Sequence, residues 1–259
     1  MAAEVPVRLE GVSFSYGDEP FFERLDFEAP AACLTGVIGP NGCGKSTLLK
    51  LACALERPAS GRVVLSGADE AGMSARERAR RVALLPQQTS TPSMKAVDVA
   101  ACGRYAYRSA LTRSRGADRA IALEALACVG AAHLADRDIA SLSGGWRQRV
   151  FVAMTIAQRA AAVLLDEPTT YLDVRACHDV LALARDIARE RETAVVAVLH
   201  DIDLALRYCD RIAVMKEGRI VATGSPEEVV AAHAVDEAFG VSVQAFDSGF
   251  GRAYACFPL

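Results

Sequence analysis

The sequence predicts an α/β fold, with a mostly parallel sheet covered on both faces, an antiparallel β subdomain and an inserted α-helical subdomain. Three observations carry this. Short apolar runs of strand length alternate with longer helical patterns, as in a parallel sheet buried on both faces. One such run, Leu34–Ile38, leads straight into Gly39-Pro40-Asn41-Gly42-Cys43-Gly44-Lys45-Ser46-Thr47 and then a helix-like segment. Between two halves of the alternation, the pattern from Ala96 to about Leu134 turns helical.

Taken in order, Val5, Val7 and Leu9, then Val12, Phe14 and Tyr16, alternate with polar residues, which is strand periodicity with one buried face. The turn Gly17-Asp18-Glu19-Pro20 closes that region. A helix is expected over Ser46–Leu55, and strands over Gly61–Ser66 and Val82–Leu85. In the helical stretch, Ile121, Leu123, Leu126 and Val129 suit one or more amphipathic helices. A helix over Val150–Ala160 should follow Ser143-Gly144-Gly145, then a buried strand Val163–Leu165, a helix Arg175–Glu190 and a buried strand Ala194–Leu199. Arg211–Met215 and Arg219–Thr223 read as a hairpin about Glu217-Gly218. Ser225-Pro226-Glu227-Glu228 opens a last helix with a cap residue, a proline at the first position and acids in the first turn. Neither a low-complexity linker nor an internal repeat divides residues 1–259, which are expected to form one domain with residues 96–143 as the inserted helical subdomain.

Composition narrows the function classes. The chain has 259 residues, 52% of them hydrophobic and 24% charged, with a net charge of −3. That charge supplies no global field for nucleic acid or anionic lipid. Arg104, Arg108, Arg113, Arg115 and Arg119 cluster in sequence and are expected to form a solvated helical face. No apolar run reaches eighteen residues, and Met1-Ala2-Ala3-Glu4 has no signal-peptide pattern, so a cytosolic chain is expected. The 8 cysteines show no C-x-x-C spacing, and His133, His178, His200 and His233 form no ligand cluster. The cysteines read as small buried residues in a reducing compartment. Cys43 is the exception: beside Lys45 and at a helix start, it is expected to be the most reactive thiol.

The glycine stretch fits G-x-x-x-x-G-K-[S/T], the phosphate-binding P-loop. Its glycines let backbone N–H groups face a phosphate chain, Lys45 can reach the β/γ-phosphates, and Ser46 can ligate Mg²⁺. Leu142-Ser143-Gly144-Gly145 precedes a second helix-like run and offers another anion-binding helix start. Asp166 ends an apolar strand, placing it at the carboxyl edge of the sheet where α/β ligands bind, and Glu167 follows it. Together these could hold ATP, a metal and a lytic water.

The P-loop, Leu142-Ser143-Gly144-Gly145 and Leu164-Leu165-Asp166-Glu167, in that order, resemble the ATP-binding cassette (ABC) family of transport ATPases. The resemblance runs from Tyr16 to His200 and implies a P-loop NTPase core. It further implies ATP and Mg²⁺ as ligands, with Ser46, Asp166 and Gln87 at the metal. Glu167 would then act as general base or orient the attacking water, and His200 would be the switch residue on the γ-phosphate. Gln87 follows Leu84-Leu85-Pro86; Gln88 is adjacent, and the spacing favours Gln87. Tyr16 takes the place of the aromatic that stacks on adenine, although periodicity alone would make it core. Ser143, Gly144 and Gly145 would bind the γ-phosphate of ATP held on a partner chain, which implies a head-to-tail homodimer. Asp173, in Tyr171-Leu172-Asp173, matches the loop joining the two sites. Trp146 departs from the family pattern, which most often has glutamine there.

Thr169-Thr170-Tyr171-Leu172-Asp173, Gly103-Arg104-Tyr105 and His200-Asp201-Ile202-Asp203-Leu204-Ala205 resemble the importers of iron–siderophore complexes, with haem and cobalamin importers as near alternatives. Ala106 stands where that subgroup commonly has proline. The resemblance implies polytopic permease partners, an indirect substrate-binding protein, no nucleic acid, and a peripheral place on the cytoplasmic face of the bacterial inner membrane. Coupling would run through Gln87 and Ala96–Leu134, with Arg104 and Tyr105 expected to matter. DNA-repair-type ATPases share these motifs but carry a long coiled coil, and residues 57–142 show no sustained heptads. Translation-factor ATPases usually carry two such cassettes, and small-molecule kinases lack Leu142-Ser143-Gly144-Gly145.

Overall fold

Alternate residues of the same buried strands feed two separate cores. The computed structural model describes residues 5–17, 19–87, 91–108, 115–249 and 251–259; Asp18, Gln88, Arg113 and residues 1–4 lie outside the described residues. In chain order the elements are β1 (Val7–Tyr16), β2 (Glu19–Ala29), β3 (Cys33–Ile38), α1 (Lys45–Ala52), β4 (Ser60–Leu65), β5 (Ala68–Asp69), α2 (Ala75–Arg81) and β6 (Val82–Leu85). Then come α3 (Ala96–Cys102), α4 (Arg115–Cys128), α5 (Gly144–Ala157), β7 (Ala162–Asp166), α6 (Val174–Glu190), β8 (Ala194–Val198) and α7 (Ile202–Tyr208). The chain closes with β9 (Arg211–Lys216), β10 (Arg219–Gly224), α8 (Pro226–Ala231), α9 (Ala234–Phe239), β11 (Val241–Ser248) and β12 (Gly251–Pro258).

The central sheet has the order β10-β9-β3-β8-β7-β6. All neighbours are parallel except β10, which pairs antiparallel with β9. A second, antiparallel sheet has the order β2-β1-β4-β5. Side chains point to opposite faces at successive strand positions. Accordingly Leu34, Ile38, Val163, Leu165, Val195 and Ala197 pack with α3–α6, while Val37, Leu164, Val196 and Val198 pack with α1 and the antiparallel sheet. Burial on both faces is why these strands read as unbroken apolar runs.

Among the described residues, no helix is long and apolar enough to cross a membrane. Helix α8 starts as its sequence requires. Ser225 accepts from the Glu228 N–H while Glu228 Oε2 accepts from the Ser225 N–H, and Pro226 opens the first turn. Several expectations are corrected. The helix after Ser143-Gly144-Gly145 begins at Gly144, not Val150, and ends at Ala157. Helix α1 stops at Ala52. The helical segment from 96 to 134 holds α3 and α4, within the one or more helices expected there, and these contact each other and α5. Arg104 does not lie on a solvated face: it is buried, donates from Nη1 to the Ala157 carbonyl at 2.9 Å and stacks 3.8 Å from the Tyr107 ring centroid. Arg108 and Arg119 pair with Asp118 and Asp136.

Candidate active site

Parallel strands β6, β7, β8 and β3 end at one edge, and the chemistry-bearing residues follow those ends. The loop after β3 runs to α1, which Gly44 caps at φ 110°, in the left-handed region. A side chain there would also meet the Phe22 ring at 2.5 Å, so glycine is needed twice over. Lys45 is buried and its Nζ donates to the carbonyls of Gly39 (2.8 Å) and Pro40 (3.0 Å). The Gly218 N–H donates to the Cys43 carbonyl at 3.1 Å, so the β9–β10 turn braces the loop. Asn41 and Gly42 are exposed at its crest. Tyr16 is 50% exposed; its hydroxyl lies 3.1 Å from Thr47 Oγ1, and Phe14 and Phe21 meet its ring edge to face. The ring therefore stands beside the start of α1 and keeps exposed surface rather than filling the core.

Ser46 Oγ donates to Asp166 Oδ1 at 3.1 Å, joining the P-loop to the end of β7. Burial raises the Asp166 carboxyl above its usual range, against the lowering effect of the Ser46 hydrogen bond. Glu167 receives three partners. His200 Nε2 lies 2.6 Å from Oε1; on Oε2, Gln87 Nε2 donates at 2.6 Å and Thr170 Oγ1 at 3.0 Å. Burial raises the Glu167 carboxyl, but the His200, Thr170 and Gln87 contacts outweigh it and hold the carboxyl below its usual range. It is a carboxylate at neutral pH, competent to accept a proton from water. Glu167 itself sits at φ 52°, an uncommon conformation for a residue with a side chain. Gln87, Asp166, Glu167 and His200 meet here as their strand-end positions predict; Thr170, which the sequence offers only within Thr169-Thr170-Tyr171-Leu172-Asp173 and not as a site residue, joins them.

Ser143 caps α5, yet its side chain makes no capping hydrogen bond, and among the described residues no side chain accepts from the first N–H groups of that helix. Gly144 and Gly145 lie close against Leu172 and Ala176 of the following loop and helix. Among the described residues, no hydrogen bond links Ser143, Gly144 or Gly145 to the P-loop or to Glu167. Asp173 caps α6, accepting from the Ala176 N–H at 2.8 Å. Tyr171 is 89% exposed at φ 64°. Trp146 meets His133 edge to face at 5.1 Å and lies under the Arg149 guanidinium.

The expectation for Cys43 is overturned. The residue is only 5% exposed, and burial raises its thiol above the usual range despite the nearby Lys45 charge. Desolvation of a thiolate outweighs its favourable address. Cys102 and Cys128 are exposed. A maleimide is therefore expected to label Cys102 and Cys128 before Cys43, with ATPase activity retained at that stage. Peptide mass spectrometry after brief labelling checks this, and Cys43 labelled first would contradict it.

The family description "ABC transporter" matches residues 22–170, more than half of the chain. The chain belongs to the ABC transporter family. It is 40% identical to the ferric enterobactin transport ATP-binding protein FepC of Escherichia coli (strain K12) over 254 residues, covering 98% of this chain and 94% of FepC. It is 38% identical to the petrobactin import ATP-binding protein FpuD of Bacillus anthracis over 249 residues, covering 95% of this chain and 91% of FpuD. Among solved structures, the dimeric post-hydrolysis ATP-binding cassette MJ0796 with ADP and Pi superposes with a TM-score of 0.72 at 26% identity, covering 85% of this chain and 98% of that one. The chain is thus an ABC ATPase, an enzyme that binds and hydrolyses ATP.

Proposed function

We propose that this chain is the ATP-hydrolysing subunit of a membrane importer for ferric siderophore complexes. The observation that carries the hydrolytic part is the Glu167 carboxylate, held by His200, Gln87 and Thr170 one residue from the Ser46–Asp166 pair. In this reading the backbone of Gly39, Pro40, Asn41, Gly42, Cys43, Gly44, Lys45, Ser46 and Thr47 wraps the phosphates. Lys45 moves from its carbonyl partners to the β/γ-phosphates, and adenine stacks on Tyr16. Glu167 takes a proton from, or orients, the attacking water, and His200 meets the γ-phosphate.

The oxygens of Ser46 and Asp166 fit Mg²⁺, a hard cation, and the raised Asp166 carboxyl marks a place where a cation would favour ionisation. Ser46, Asp166 and Gln87 would hold it. When bound, Mg²⁺ supplies positive charge against the β/γ-phosphate oxygens.

Ser143, Gly144 and Gly145 at the open start of α5 serve ATP held on a second copy of this chain, and Asp173 lies in the loop that joins the two sites. Residues 96–143 act as the helical subdomain of one domain spanning 1–259. The ATPase pair lies on the cytoplasmic face of a bacterial inner membrane, bound to polytopic permease subunits and serving a substrate-binding protein indirectly, with no nucleic acid. Substrate class rests on similarity to FepC and FpuD across nearly the whole chain. Two measurements test the reading: co-purification with a polytopic membrane protein, and loss of ferric siderophore uptake in a deletion strain. Loss of haem or cobalamin uptake with siderophore uptake intact would overturn the substrate.

Tyr105 and Arg104 now separate. Tyr105 is 72% exposed between α3 and α4, suited to a permease contact, whereas Arg104 is structural. Tyr105→Ala should lower uptake several-fold more than basal ATPase. Arg104→Ala should instead cost about 2–3 kcal/mol of stability, because it strips a buried charge-assisted hydrogen bond and a cation–π contact. Uptake assays beside thermal melts check both, and equal loss of uptake and ATPase in Tyr105→Ala would contradict the contact.

A further inference from the structure

We propose that Thr170 is a positioning residue for hydrolysis, holding the Glu167 carboxylate in one orientation through the Thr170 hydroxyl. The inference rests on Glu167 acting on the attacking water. Thr170 binds Glu167 twice. Its N–H donates to the Glu167 carbonyl at 3.2 Å, closing a turn, and its Oγ1 donates to Glu167 Oε2 at 3.0 Å. The same residue therefore fixes the backbone and the side chain of the base. That matters because Glu167 lies at φ 52°, where a residue with a Cβ is not held by its own preference.

The three donors to this carboxylate are not equivalent. His200 follows β8 and Gln87 follows β6, and both side chains are exposed. Each is proposed above to turn to the γ-phosphate or the metal, which takes it from Glu167. Thr170 belongs to the same turn as its acceptor and is half-buried there, so its contact survives rearrangement of the strand-end loops. Once His200 and Gln87 are engaged elsewhere, Thr170 is the donor that keeps the carboxylate from rotating. A hydrogen bond to a charged acceptor is strong enough for this task.

The test is steady-state MgATP hydrolysis by the full chain. Thr170→Val keeps the shape and removes the donor; it should lower kcat about tenfold, equal to about 1.4 kcal/mol, with the KM for ATP within about twofold of wild type. Thr170→Ser restores the donor and should stay within about threefold of wild-type kcat. Thr170→Ala, which brings no methyl against the loop, should reproduce the Val result and guards against a misfolded Val variant. Wild-type kcat in Val and Ala, equal losses in Val and Ser, or a loss confined to KM would each overturn the proposal. Glu167→Gln run alongside separates the two ideas. If it still turns over ATP, the role of Glu167 fails; if it is inactive while Thr170→Val is normal, only the positioning role fails.

Discussion

Replacing Glu167 with glutamine is expected to lower ATP turnover about 10²- to 10⁴-fold, the usual contribution of a general base, while leaving ATP binding nearly intact. Glutamine keeps the shape of the side chain and removes its ability to take a proton. The Glu167 carboxyl is ionised at neutral pH because its three partners outweigh the cost of burial, so wild type needs no further activation of the base by pH. The substitution also swaps one acceptor oxygen for an amide. The new NH₂ group needs an acceptor, which the Thr170 hydroxyl or a turned Gln87 amide can supply. This rearrangement is local, so folding should survive. With chemistry blocked and binding retained, the ATP-bound dimer should accumulate. Single-turnover hydrolysis, nucleotide binding and size-exclusion chromatography with MgATP measure the three parts. Hydrolysis within a few fold of wild type would remove Glu167 from the role of base.

Much of this site is contiguous in sequence, and that is why it could be read there. The P-loop carries its own strand, turn and helix start within about a dozen residues, and Asp166 and His200 close apolar runs whose ends must reach one edge of a parallel sheet. What could not be read depends on conformation rather than residue type. Thr170 reaches Glu167 only because Glu167 adopts φ 52°, and nothing in Asp-Glu-Pro-Thr-Thr announces that angle. Gly144 and Gly145 are poor helix formers, yet α5 starts on them; a Cβ at Gly145 would come within 3.1 Å of Ala176, whereas Gly144 has room for one. Helix α2 presents Ala-Arg-Glu-Arg-Ala-Arg-Arg, a run with no apolar stripe; it is secured by the reciprocal Ser74–Glu77 cap instead. In the β11–β12 hairpin the inward positions Val243 and Tyr254 are buried, but their outward neighbours Phe246 and Phe257 are apolar too, which blurs the alternation. For Cys43, proximity to Lys45 is visible in sequence but the burial that raises its thiol is not.

Lys45→Ala and Ser143→Arg should each abolish hydrolysis alone and partly restore it when mixed. Lys45 is buried against its own loop and carries the charge destined for the β/γ-phosphates, so its loss should weaken ATP binding about 10- to 100-fold, the range of a charge-assisted hydrogen bond. Ser143→Arg places a long cation over the open first turn of α5, where an anion should bind. Within one chain these two helix starts share no hydrogen bond, and the start of α5 lies against its own 171–176 segment. On the proposed reading, a γ-phosphate held by both lies between two chains. In a dimer pairing one variant of each kind, one composite site has an intact P-loop facing an intact Ser143-Gly144-Gly145 start, and the other site carries both defects. Equal mixing yields the mixed dimer about half the time with one working site of two, so about a quarter of wild-type activity should return. ATPase assays on refolded or co-expressed mixtures read this directly. A mixture no more active than either variant, or a monomer hydrolysing ATP at the wild-type rate, would show that the two helix starts do not meet across a dimer.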